Sequence, residues 1–556
     1  MEKESSGFIH GFCDRYYPTN NSEEEEEEEE DEDHRTKSRK HVPILEEGED
    51  RISTLPDSIL LSILSFLPTQ KAITTGVLSK RWAYLWTSIP SLSFELEGYR
   101  SHGYGYHSKN YNPMDDFTSA VDPMDDFTSA VDPMDDFISA VDHTLLLHRA
   151  PKLRDFSVRF NYERDLKARL DLWVRFATTA KVNQLSLHLS PPSFLDSGGY
   201  QLPQHLYANE FVSKFNFSYC KIFPNGLLHW SSLKHLCIGQ SALCDDVIRE
   251  VLMGSPRLES LELHDCWEFH RLDIVSESLR KLVIDSYVIY MCNFRELELE
   301  IVAPKIHSLE ILGNFEKIKC RIKDVSALVE AKLDFDMRKS LNHYYEDDYC
   351  YEYYKKYYEE EEGYKEYQDI VRDILDSVHH VKKLTVGNWC LMIVSIMSVK
   401  RLPSPLSKCQ CLTIVTSMEK WSLPGIGILL QSSPYLETLN FDLPSSPQTP
   451  LKFLVSRYDE VNHWKSKAIY FKFLLRCLKS IKIKLFYFQG IHTKEFIFLV
   501  QFLLTNAKVL EKMVITNALR MRNPTPNMLL KSLQVALMLL NFPRSSPHAV
   551  VTFPYQ

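Results

Sequence analysis

The chain has 556 residues, 44% of them hydrophobic and 25% charged, with 64 Lys+Arg against 74 Asp+Glu for a formal net charge of −10. That is the make-up of a core-burying protein of several domains or of a repeat array, and it excludes collagen-like, wholly disordered and small disulfide-scaffold chains. Eleven acids run unbroken from Glu23 to Asp33, so the remainder is close to neutral and offers no basic stripe for nucleic acid.

Residues 1–47 read as a disordered acidic tail, because adjacent carboxylates repel and bury nothing. Met1 to Asn21 has no apolar stretch and is not a signal peptide. Between Arg51 and Leu96 the texture changes. Asp57 is placed to cap a helix in which Ile59, Leu60, Ile63, Leu64 and Leu67 recur at spacings of three and four, and Pro68 stops it. Thr69 is placed to cap a second helix that Gly76 breaks, and Ser79 opens a third carrying Trp82, Leu85 and Trp86. Three short helices bury little by themselves, so part of their apolar surface is available to a partner.

A decapeptide, Pro113 to Asp122, recurs at 123–132 and, with Ile138 for Thr, at 133–142. A proline in each copy argues against one continuous helix. Only the third copy runs into an apolar helical stretch, Ala140 to Leu147; the first two should loop out. From there the unit apolar-x-x-apolar-x-apolar dominates. It occurs ten times between Leu153 and Phe441, as in Leu258/Leu261/Leu263 and Leu436/Leu439/Phe441, mostly at spacings of 21 to 30 residues. Cys220 and Cys266 fall three residues after the last apolar position, where a leucine-rich repeat carries Asn or Cys. Each x-Leu-x-Leu should be a short strand and the preceding stretch, such as Asp245 to Met253, a helix; stacked units bury a continuous core. A Tyr/Glu-rich segment at 343–367 reads as an exposed insertion, and the paired His379 and His380 as a turn. Near the C-terminus, strands at Leu478/Ile481/Ile483 and Leu510/Met513/Ile515 flank an amphipathic helix from Lys494 to Asn506, a β-α-β element that continues or caps the array.

Twelve cysteines without a Cys-x-x-Cys or a secretory signal point to reduced thiols, and Cys409 with Cys411 lacks a partner pair at zinc-finger spacing. The longest apolar run, Trp389 to Val399, is too short to span a bilayer and reads as a buried element. The expectation is an intracellular protein of the nucleus or cytoplasm, with no membrane or nucleic-acid partner and no metal or other cofactor.

Asp50-Arg-Ile-Ser-Thr-Leu-Pro-Asp-Ser-Ile-Leu60, then Ile63-Leu-Ser-Phe-Leu-Pro68 and Val77-Leu-Ser-Lys-Arg-Trp82 with Leu85-Trp86, closely resemble an F-box. Cys477-Leu-Lys-Ser480 and Phe502 to Met513 resemble the FBD domain. With the repeats between them, residues 48–550 resemble a plant F-box/FBD/LRR-repeat protein. The resemblance implies an α/β chain: a three-helix F-box at 48–98, a linker at 99–142, a leucine-rich-repeat solenoid, or horseshoe, at 143–460, and an FBD cap at 465–550. It further implies the substrate-recognition subunit of a Skp–cullin–F-box ubiquitin ligase. The F-box would dock a Skp-family adaptor and, through it, cullin; the repeats would hold a protein target of unknown identity. Leu55 and Pro56 would seat the first contact. Ile59, Leu60, Ile63, Leu64, Leu67, Val77, Leu78, Trp82, Leu85 and Trp86 share module packing and adaptor contact, and the sequence does not divide them.

An enzyme finds no support: there is no phosphate-binding Gly-x-x-x-x-Gly-Lys, no Gly-x-Ser-x-Gly and no His-Glu-x-x-His. The stronger rival is a leucine-rich interaction scaffold that assembles no ligase.

Overall fold

A computed structural model describes residues 52, 54–96, 133–191, 198–287, 297–315, 318–337, 361–397, 402, 404–418, 421–443, 475–485, 494–517 and 526–553. The acidic tail, the first two decapeptide copies and most of the Tyr/Glu-rich segment lie outside them. Two compact units divide the described residues: those up to Phe94 together with Pro133–Phe156, and Glu95 and Leu96 together with those from Ser157 onward.

The first unit opens with α1 (Asp57–Leu64), α2 (Thr69–Thr74) and α3 (Trp82–Leu85), the latter two running on into 3₁₀ turns at Thr75–Val77 and Trp86–Ser88. Asp57 does not cap α1 as expected; it is the first helical residue after the extended Pro56, and no side chain caps the helix. Its carboxylate accepts instead from Arg81 Nε at 2.9 Å. Thr69 likewise starts α2 without capping it: its buried hydroxyl accepts the Ser93 N–H at 2.7 Å. The first helix also ends at Leu64 rather than running to Leu67, because Phe66 and Leu67 turn back to the carbonyls of Ile63 and Leu64. At Gly76 a Cβ would lie 3.3 Å from Ala83 Cα, so the turn packs directly on α3.

The third decapeptide copy, within the expected linker, forms α4 (Pro133–Leu147). A proline at the first helical position lacks only an N–H that has no intrahelical partner there. Phe137, Val141 and Thr144 make its buried face. His148 and Arg149 then bond the carbonyls of Ile89 and Thr87, at 2.9 and 2.7 Å, fixing this helix to the end of α3.

In the second unit the repeat becomes a ladder of parallel strands. Gln184–Ser190, Lys214–Ser218, His235–Gly239, Ser260–Cys266, Lys281–Tyr287, Ser308–Asn314 and Glu330–Asp336 pair in chain order. Lys383–Val386, Cys411–Val415, Thr438–Asp442, Ser480–Leu485, Lys512–Asn517 and Val550–Thr552 continue it. The register sets like on like: Leu185, Phe215, Leu236, Leu261, Leu282 and Leu309 lie in one row, and Ala331, Leu384, Leu412, Leu439, Ile481 and Met513 extend it. Every member is buried. Period-two alternation gives each strand one apolar face, and parallel pairing without slippage merges those faces into one core.

The strand at Cys411–Val415 is a repeat the sequence pattern missed, since Cys409, fully buried, takes the first apolar position. The two C-terminal strands join the same ladder in register, with the helix Lys494–Asn506 crossing between them; Pro526–Leu540 and Val550–Thr552 add a further turn. Helices Asp245–Gly254, Asn388–Ile396 and Ser422–Ser432 also serve as crossovers. In the middle repeats, however, the crossover is extended where a helix was expected. Arg271–Asp273, Leu297–Val302 and Ile318–Lys323 form a second, three-stranded parallel sheet. Their apolar residues (Leu299, Ile301, then Ile318, Cys320, Ile322) alternate with period two, which suits a half-buried strand. The helix Glu361–Ser377 packs on the last of these strands, and Tyr367 meets Trp389 edge-on at 5.5 Å. Trp389 lies in Asn388–Ile396, the buried element foreseen from its apolar run. Cys266 is buried and its thiol lies 3.4 Å from the Ile238 carbonyl of the preceding strand, the role of the repeat's Asn/Cys position.

Candidate functional site

The helical unit sorts the twelve residues that the sequence left together. Leu60, Leu64, Trp82 and Trp86 are buried and hold α1, α3 and the following turn together. They are packing residues in this arrangement and not surface contacts. Trp86 Nε1 spends its proton on the Ala83 carbonyl at 3.1 Å, so burying the indole leaves no donor unsatisfied. Leu55 and Leu85 are half-buried, whereas Pro56, Ile59, Ile63, Leu67, Val77 and Leu78 are exposed.

Helix geometry makes this division. Ile59 and Ile63 lie four residues apart, as do Leu60 and Leu64, so α1 carries two adjacent apolar rows. The inner row is buried where α1 packs against α3 and the turn that follows it. The outer row remains 45% and 46% exposed at Ile59 and Ile63. Among the described residues, eight of the 26 exposed large apolar side chains lie between Ile52 and Tyr84. So dense a set on so small a unit makes it the candidate interaction surface. Ile52, Phe66 and Tyr84 belong to it and were missed from sequence. Phe66, 85% exposed, is displaced from the helical rows because α1 ends before it.

Arg81 joins the two ends of this surface. Besides Asp57, its guanidinium donates to the Leu55 carbonyl at 2.6 Å, steadying the Leu55-Pro56 step ahead of α1.

A second set of functional candidates lies on the outward positions of the repeat strands. His264 stands between Glu262 and Asp285, 3.6 and 3.4 Å away. The Asp285 carboxylate, with Cys237 and Glu262, pushes the His264 imidazole up to about 12 against the effect of burial. Glu262, beside His264, is held down at about 2. Lys281 bridges Glu262 and Glu310, at 3.5 and 3.1 Å. A small cavity of about 90 Å³ lined by Asp245, Ile248, Arg249, Arg271 and Asp273 is well below the size of a cofactor pocket. His379 and His380 are a turn, bonded to the carbonyls of Asp376 and Val325. Among the described residues, no helix is long and apolar enough to cross a membrane.

Comparison with known proteins agrees with this geometry. Residues 52–94 match the family model of the F-box domain, and residues 170–329 match the LRR repeats of the FBD-associated F-box protein At5g56370. The chain is 32% identical over 399 residues to the putative F-box protein At1g49610 of Arabidopsis thaliana, covering 71% of this chain and 84% of that protein. It is 29% identical over 490 residues to the putative F-box/LRR-repeat protein At3g18150 of the same plant, covering 87% and 90% respectively. With the putative F-box/LRR-repeat protein At5g02930, also from Arabidopsis thaliana, identity is 28% over 424 residues, or 76% and 78% of the two chains.

Proposed function

The chain belongs to the F-box/LRR-repeat protein family, and from that premise we propose that it is the substrate-recognition subunit of a Skp–cullin–F-box ubiquitin ligase. F-box domains generally bind Skp-family adaptors, and the exposed row on α1 with Pro56, Leu67, Val77 and Leu78 is the surface that does so here. The adaptor connects to cullin. The repeat strands, continued through the FBD-like region at 465–550, hold the protein target. The chain is a non-catalytic adaptor: the matched family models are interaction modules, and it raises the reaction rate by holding the target near a charged conjugating enzyme on other subunits.

The observation that supports this reading most directly is the contrast within the helical unit. Buried Leu60, Leu64, Trp82 and Trp86 maintain a fold whose outer apolar row, Ile59 and Ile63, is left about half exposed among the described residues. A pull-down of the full chain with a Skp-family adaptor and cullin tests it, beside the Leu55→Ala/Pro56→Ala variant. Both proteins should be retained by the wild type and lost by the variant, with the circular dichroism spectrum unchanged. A folded wild-type chain that captures no adaptor would leave a leucine-rich binding scaffold in place of a ligase subunit.

A further inference from the structure

Three side chains unused by the docking surface converge on neighbouring repeat strands. Cys237 lies on His235–Gly239, and Glu262 and His264 on Ser260–Cys266; the register sets Cys237 opposite Glu262 and Gly239 opposite His264. All three occupy the face opposite the buried Leu236, Ile238, Leu261 and Leu263. One ligand atom from each, the thiol sulfur, a carboxylate oxygen and a ring nitrogen, lies within 4.8 Å of the other two.

The distance between the histidine and the carboxylate fits a shared metal better than a direct bond. His264 Nε2 and Glu262 Oε2 are 3.6 Å apart. A charge-assisted hydrogen bond would bring them to about 2.7–2.9 Å. Around zinc, with Zn–N and Zn–O bonds of about 2.0–2.2 Å, the edge of the ligand tetrahedron is roughly 3.3–3.6 Å. The other ring nitrogen, Nδ1, faces Asp285 Oδ2 on the next strand at 3.4 Å. A carboxylate in that position sets ring orientation in metal-bound histidines. Glu262 is positioned too: Ser260 Oγ and Lys281 Nζ take its Oε1, at 3.3 and 3.5 Å, which leaves Oε2 toward His264.

We propose that Cys237, Glu262 and His264 form a three-ligand site for a divalent cation of the zinc class, with Asp285 as its positioning residue. Thiolate and imidazole donors favour zinc over magnesium or calcium, which take oxygen ligands. Three protein ligands leave a fourth position for water or for a donor group of whatever protein the strands hold. The inference does not depend on the ligase reading, since the site lies on the repeats and its test uses no adaptor.

Full-length protein stripped with a chelator and titrated with zinc chloride against a chromophoric competitor should take up one equivalent in this site. Cobalt substitution should give a near-ultraviolet sulfur-to-metal charge-transfer band. Cys237→Ser should abolish that band, and Cys411→Ser, which removes another outward half-buried thiol, should retain it. Glu262→Gln should keep the band while weakening binding, and Asp285→Asn should weaken it by about 10- to 100-fold. Should a variant fail to fold, the wild type alone decides: zinc should slow alkylation at Cys237 specifically, read by mass spectrometry. Absence of zinc uptake, equal affinity in Cys237→Ser, or protection at other cysteines only would overturn the site and leave an ion-pair network centred on protonated His264.

Discussion

Replacing Ile59 and Ile63 together by alanine should separate docking from folding. The pair is 45% and 46% exposed, while Leu60 and Leu64, one position on, are 0% and 1% exposed. Fully burying such a side chain is worth about 1.5–3 kcal/mol, so covering the exposed half of each returns roughly 0.7–1.4 kcal/mol. For two residues the loss is about 1.4–2.7 kcal/mol, or roughly 10- to 100-fold in adaptor Kd. Alanine keeps the helix, so stability should change little. Leu60→Ala should do the reverse in kind, destabilising the unit by about 2–5 kcal/mol through a core cavity. Calorimetric titration of the purified adaptor into each full-length variant gives the affinities, and urea unfolding gives the stabilities. A double variant that binds within about twofold of wild type, or that loses as much stability as Leu60→Ala, would refute a docking role for the outer row.

Other perturbations probe separate features. Arg81→Ala removes the bonds to Asp57 and the Leu55 carbonyl; an exposed pair contributes only about 0–1 kcal/mol, so adaptor affinity should fall by more than stability does, and equal losses would refute a positioning role. At Gly254, the last residue of Asp245–Gly254, helix propensity alone predicts that alanine stabilises by about 1 kcal/mol. A Cβ there would run into the Leu228 carbonyl and side chain, so thermal unfolding of Gly254→Ala should shift downward; an upward shift would show the neighbouring loop to be free to move. His188 is pushed down to about 4 by burial and by the Arg159 guanidinium. An unfolded histidine titrates near 6.5, so the native state binds fewer protons as pH falls. Its contribution is nil above about pH 6.5 and grows into a penalty approaching 3 kcal/mol towards pH 4. Urea unfolding at neutral and acid pH should show a smaller acid loss in His188→Gln than in wild type, and identical losses would contradict this.

Periodicity alone carried the fold a long way. Alternation such as Leu261/Leu263 decides locally which face of a strand is apolar, and repetition at similar intervals makes stacked parallel strands the way to bury those faces together. Likewise the sequence Leu55-Pro56 to Trp86 was enough to locate the helical F-box unit and list its apolar residues. Tertiary packing decided what local pattern leaves degenerate. Two adjacent rows on α1 are equally apolar in sequence, and only packing against α3 and the turn after it selects Leu60 and Leu64 as core and leaves Ile59 and Ile63 outward. Crossovers through Leu297–Val302 and Ile318–Lys323 are strands because neighbouring turns of the chain supply their pairing partners. Cys237 meets Glu262 and His264 through strand register across two repeats, a juxtaposition that no spacing along the chain records, because register is fixed by the buried leucines on the other face.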